Sequence, residues 1–302
     1  MGRSTPYTEL HCHSWFSFLD GASSPIELAE TAARLGYEAL ALTDHDGVWG
    51  SMEFALACRA NGIRAITGAE LTVEWRDQTS HLTLLVEDGN GYANLCRLLT
   101  EAHAGTRVGP GRRQDQPRVS LDFLEGRTEG LVCLTGCAGK GLVGAAWGDG
   151  RTGEAGARRL RELFGHDNLA IEIQRPYWRN DLARNAWLEG LGRRLRLPVV
   201  ATGNVHSHTP ARAALQDVLV SVRLGMGIEA AESFRRGNHT SCLVPPEEMA
   251  VRFGDRPEAL RAGIELADRL NFELDRELCR SSKRDRQSSL RSASAAGSPA
   301  RG

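Results

Sequence analysis

The sequence predicts an α/β domain, and two observations carry that expectation. Short apolar runs rich in Val, Ile, Leu and Thr alternate with longer amphipathic stretches along most of the chain, the pattern of buried strands joined by covering helices. Several of those runs also end in residues that bind metals, and strand ends are where α/β folds place their chemistry. Ser24-Pro25 opens a helix with a capping hydroxyl and a proline at the first position, Ile26, Leu28, Ala29, Ala32 and Leu35 supply its apolar stripe, and Gly36 ends it. A second helix is expected over 49–61, closed by Asn61-Gly62, and further ones over 90–103, 152–165, 180–195, 211–222 and 257–270. The sheet is expected to be parallel. It is also expected to be closed, because a barrel gathers all its strand ends at one mouth whereas an open sheet spreads them along a line.

The chain of 302 residues is long enough to bury one large core. A net charge of −1 provides no global basic field that would hold nucleic acid by phosphate neutralisation alone. Seven cysteines without regular spacing argue against a secreted disulfide framework. No apolar run reaches the length of a membrane span and the N-terminus lacks a signal-peptide pattern, so a cytoplasmic chain is expected. Lys140 and Lys283 are the only lysines; the arginine-dominated basic charge reads as coding bias. Residues 105–118 form a Gly/Pro/Arg-rich loop, either a solvated connection or a basic contact for a phosphate. Residues 279–302 hold almost no large apolar side chains and are expected to form a disordered tail behind a domain covering 1–278.

The metal-type residues begin at His11-Cys12-His13. Side chains two apart on a strand share a face, so the two imidazoles can converge on one ion. Ala39–Thr43 runs into Asp44-His45-Asp46, Ile63–Gly68 leads to Glu70, Leu131–Gly136 delivers Cys137, and Val199–Gly203 leads to Asn204, His206 and His208. Asp20 follows the first strand, and His81 opens the run 82–86. So many donors at strand ends read as a multinuclear metal centre.

These motifs resemble a known family. Glu9–Ala22 (ELHCHSWFSFLDGA) resembles the opening of the PHP (polymerase and histidinol phosphatase) domain, as do Leu42–Gly47, Thr67–Glu70, His81–Leu85, Leu134–Cys137 and Ala201–His208. The resemblance covers roughly 6–278. It looks closest to the N-terminal domain of bacterial C-family DNA polymerases, with Leu215–Leu219 and Arg236–His239 pointing to the error-prone branch.

The resemblance implies a distorted seven-stranded β/α barrel with two or three metal ions, Zn²⁺ or Mn²⁺, held by His11, His13, Asp20, His45, Glu70, His81, Cys137 and His206. Asn204 stands where many members carry aspartate, and the lost negative charge is expected to leave the ion site nearest it with low affinity. Asp44, Asp46 and His208 are expected to orient ligands or cap a helix without touching metal. The implied activity is metal-dependent phosphoester hydrolysis, such as 3′–5′ exonuclease proofreading on DNA met through a parent polymerase. A free-standing phosphatase for a small monoester and a non-catalytic scaffold are the alternatives. Asn271–Leu278 resembles the join to the polymerase palm, and the low-complexity ending after it reads as a premature or frameshifted stop with the polymerase module missing.

Overall fold

The computed structural model describes residues 6–106, 116–237, 239–274 and 276; the expected tail and most of the 105–118 loop lie outside the described residues. The elements are α1 (Pro25–Arg34), β1 (Ala39–Leu42), α2 (Ser51–Ala60), β2 (Arg64–Trp75), β3 (Gln78–Val86), α3 (Gly89–Ala104), β4 (Val119–Ser120), β5 (Leu131–Leu134), α4 (Gly150–Phe164), β6 (Leu169–Gln174), α5 (Asp181–Leu195), β7 (Val199–Thr202), α6 (Ala213–Leu224), α7 (Pro246–Arg252) and α8 (Pro257–Arg269). All seven helices expected from sequence are present. The short α7 was not anticipated, since its seven residues are too few to show a helical period.

The sheet runs β1-β2-β3-β5-β6-β7, with β4 paired to β2. Its two edges are joined by residues 9–13. Ala41 N donates to Glu9 O and Thr43 N to Cys12 O on the β1 side, while His13 N donates to Val205 O and Val205 N to His11 O beyond β7. This segment is the seventh stave of a closed, distorted barrel. Glu9 fastens the seam: its carboxylate accepts from Tyr7 Oη, His11 N and Gly203 N at 2.7, 3.0 and 2.8 Å. A Cβ at Gly203 would lie 2.5 Å from Glu9 Oε2, so a larger residue there would push the Glu9 carboxylate off these partners.

The expectation of an all-parallel sheet needs correction. β3 is antiparallel to both β2 and β5, whereas β1–β2, β5–β6 and β6–β7 are parallel. The cause is local. Arg76 and Asp77 both take positive φ (52° and 60°), the geometry of a two-residue hairpin whose twist matches its strands, so β2 folds straight back into β3. No Asn-Gly or Asp-Gly pair announced the turn.

Strand alternation then sorts side chains. Ile66, Leu85, Val132, Ala170 and Val200 pack with Leu266, Ala267 and Leu270 of α8 and its end as one apolar cluster. Glu70, Thr83, Glu172 and Thr202 share the parity of Ile66, Leu85, Ala170 and Val200, so they line the same interior further toward the mouth. Opposite-parity residues, among them Leu40, Leu71, Leu84, Cys133 and Ile171, pack in the larger cluster together with residues of the covering helices. Burying each such side chain contributes about 1.5–3 kcal/mol.

Candidate metal centre

The interior polar layer is built around Glu70. This residue lies inside the long β2, not at a strand end, and it is 1% exposed. Its Oε2 is 2.8 Å from His45 Nδ1, 3.0 Å from His81 Nδ1 and 3.8 Å from His13 Nε2, and its Oε1 is 3.2 Å from His11 Nε2. Four histidines, two from the 9–13 stave, one after β1 and one in β3, therefore meet one buried carboxylate.

Hydrogen-bond partners assign the tautomers of the two deepest rings. His11 Nδ1 faces Glu172 Oε1 at 2.7 Å, so that nitrogen carries a proton and Nε2 turns inward, where burial opposes a second proton but Glu172 and Glu70 favour it and raise the ring well above the ordinary histidine value. Ser17 donates its single hydroxyl proton to Asp44 Oδ1 at 2.7 Å and therefore accepts from His13 Nδ1 at 3.0 Å. His13 Nε2 is thus a lone pair, and it stands 3.1 Å from His11 Nε2. Glu70 Oε1 receives no hydrogen bond. Two imidazole nitrogens and a carboxylate oxygen crowded on one point need a positive charge among them, which a second proton on His11 supplies in the metal-free protein and which a divalent metal would supply in its place, so this donor set fits a divalent metal. Two further groups have converging donor atoms, His45/Glu70/His81 and His13/His45/His206.

The charges follow from these contacts. Burial opposes ionisation of Glu70, but the surrounding imidazoles hold its carboxyl well below the usual range. Burial likewise opposes the charged forms of His45 and His81, yet neighbouring carboxylates lift them to about 9 and about 10. His13 is driven well below the ordinary histidine value by burial and by the imidazoles of His206 and His45. His206 falls to about 4 through burial and the nearby charge of Arg236.

Not every expected residue joins the cluster directly. Asp20 reaches it from the outer side, 3.2 Å from His45 Nε2 and 3.5 Å from His206 Nε2. Cys137 belongs to none of the converging groups and touches His81, its sulfur also receiving Lys140 N at 3.4 Å. Asn204 offers its backbone carbonyl to His206 Nδ1 at 2.9 Å, while its side-chain Oδ1 is buried without a hydrogen-bond partner. Asp44 supports His13 through Ser17 and also accepts from Ser14 N and Oγ.

Two orienting roles need correction. Asp46 binds Thr72 N and Oγ1 at 2.7 and 2.8 Å, and so ties the loop after β1 to β2 without holding His45 or capping α2. His208 is hydrogen-bonded to Ser23 Oγ at 2.8 Å, so it steadies the segment before α1.

Sequence reasoning missed Glu172, the partner of His11, together with Gln174 and Thr202 that hold Glu172 in place. The signal was available: an acid in the middle of the buried run Leu169–Gln174 is unusual unless paired. It also missed Arg223, which no local pattern marks, and the contact of Arg236, a residue noted only as the first of the motif Arg236–His239.

A closed α/β barrel whose mouth converges histidine and carboxylate donor atoms defines a class of divalent-metal-binding proteins. The pattern of the PHP domain family matches residues 9–176, and the chain belongs to that family. Over 280 residues it is 37% identical to the error-prone DNA polymerase of Anaeromyxobacter dehalogenans, an alignment covering 91% of this chain and 23% of that protein. Over 282 residues it is 39% identical to the error-prone DNA polymerase of Mycolicibacterium paratuberculosis, covering 90% of this chain and 25% of the relative. The chain thus spans about a quarter of the length of these curated relatives. Among solved structures, a candidate metal-dependent phosphoesterase from Bifidobacterium adolescentis aligns with a TM-score of 0.48 and 17% identity over 67% of this chain and 88% of its own. Among the described residues no helix is long and apolar enough to cross a membrane.

Proposed function

We propose that this chain is a metal-dependent phosphoester hydrolase domain of the error-prone polymerase type, acting in the cytoplasm on a DNA 3′ end. The observation that carries the reading is the convergence of His11 Nε2, His13 Nε2 and Glu70 on one point. Similarity to error-prone DNA polymerases over most of the chain supports a nucleic-acid substrate in preference to a small monoester.

His11, His13, His45, Glu70 and His81 would hold Zn²⁺ or Mn²⁺, with Cys137 beside His81 and with Asn204 and His206 at the outer edge. Bound divalent ions there supply stabilisation of the attacking and departing oxygens of a phosphoester. The protein's own share is positioning. Glu172 and Ser17 accept from Nδ1 of the two deep imidazoles and so would turn each Nε2 toward a bound ion, and the buried Glu70 lends negative charge.

The test compares hydrolysis of a 3′-labelled single-stranded oligonucleotide and a chromogenic phosphate monoester, with Mn²⁺ or Zn²⁺ and with chelator. The reading expects weak, chelator-sensitive release of 3′ nucleotides. Monoester hydrolysis without nuclease activity would favour a phosphatase. Metal binding without either activity would favour a structural module.

A further inference from the structure

Asp20 is met by two guanidinium groups. Arg236 Nη2 lies 3.0 Å from Asp20 Oδ2, Arg223 Nη1 lies 3.3 Å from the same oxygen, and Gln216 Nε2 donates to Oδ1 at 3.3 Å. The same Arg236 Nη2 makes a close contact with His206 Nε2. Since His206 gives its Nδ1 proton to Asn204 O, its Nε2 is a lone pair, and Arg236 is the donor that fills it. Both arginines are anchored from behind. Arg223 projects from α6, the backbone carbonyl of Arg236 accepts from Trp178 Nε1 at 3.4 Å, and the adjacent Arg235 pairs with Asp217 at 3.0 Å.

We propose that the Arg236 guanidinium, backed by Arg223, permanently takes the cation position between Asp20 and His206, so that this chain binds two divalent ions and not three. The proposal rests on the metal-centre reading above. Its basis is charge. One carboxylate facing two guanidiniums is net positive before any metal arrives, and arginine does not release its proton to make way. Asn204 adds no compensating charge at that edge. The carboxylates of Glu70 and Glu172, by contrast, meet imidazole, amide and hydroxyl groups, and imidazoles give up protons readily to a metal.

The test is metal stoichiometry after saturation with Mn²⁺ or Zn²⁺ and exhaustive dialysis, read by mass spectrometry and independent of any hydrolytic rate. The wild-type chain should retain two ions. The Arg223→Ala/Arg236→Ala variant should retain three, and adding Asp20→Asn to that variant should return it to two. Three ions in the wild-type chain would overturn the proposal without recourse to any variant, as would two in the double variant. No metal in any form would overturn the metal-centre reading along with it.

Discussion

Glu70 and Asp20 are both nearly fully buried carboxylates in one barrel mouth, at 1% and 4% exposure, yet they are compensated differently. Glu70 is met by the imidazoles of His11, His13, His45 and His81, whereas Asp20 is met by Arg223, Arg236 and Gln216 in addition to His45 and His206. Burying a carboxylate demands compensation in either case. Imidazole compensation is conditional, because the ring can exchange its proton for a metal near neutral pH. Guanidinium compensation is fixed. The same carboxylate group thus becomes a vessel for metal at one wall and a closed ion pair at the other.

The largest effect should come from the Glu70 side. His13→Ala is expected to lower phosphoesterase activity on the order of a hundredfold and to cost at least one bound ion, and His11→Ala and His45→Ala should also lose one ion or more. Unchanged metal content in these variants would break the comparison at its stronger end.

Glu172→Gln is next. It removes the carboxylate that fixes the His11 tautomer while leaving every proposed ligand in place, so metal affinity should fall about 10- to 100-fold. Titration with Mn²⁺ reads this directly. An unaltered affinity would make Glu172 a packing residue.

The two walls should also separate by pH. In chelator-treated protein, His45 and His81 sit above the ordinary histidine value, at about 9 and about 10. Their contribution to stability is therefore complete below about pH 6.5 and is lost as pH rises through 9 and 10. His13 and His206 are depressed and titrate on the acid side, outside this window. With metal bound, the ligand imidazoles must be neutral, protons compete with the ion, and stability should rise with pH over the same range. Thermal denaturation with and without chelator should give opposite slopes. Parallel slopes would mean that these histidines are not metal ligands.

The smallest effect belongs to the Asp20 side. Asn204→Asp restores a carboxylate near His206, but Arg236 already occupies the lone pair it would serve. Metal retention after dialysis should rise by less than the roughly tenfold that supporting residues of metal sites command. A large gain would show that charge at residue 204, and not Arg236, limits this wall.

Much of this was legible along the chain. Helix caps such as Ser24-Pro25, whose capping box with Glu27 is present in the structure, act within a few residues and can be read as they stand. The alternation of apolar runs indicated the α/β class, the donors at the ends of those runs indicated closure, and His11, His13, His45, Glu70, His81 and His206, which the structure brings together, were each singled out within a short motif. The direction of β3 was not legible, because a two-residue turn at Arg76-Asp77 depends on backbone conformations that neither residue type advertises. Nor was the contrast between the two carboxylates. Glu172 reaches His11 across 161 residues of sequence and Arg236 reaches Asp20 across 216, and only the closed barrel brings them within hydrogen-bond range. The sequence by itself determined which donors line the mouth, since donor chemistry belongs to each residue. Tertiary structure decided which of them face imidazole and which face guanidinium, since that depends on distances set by chain closure.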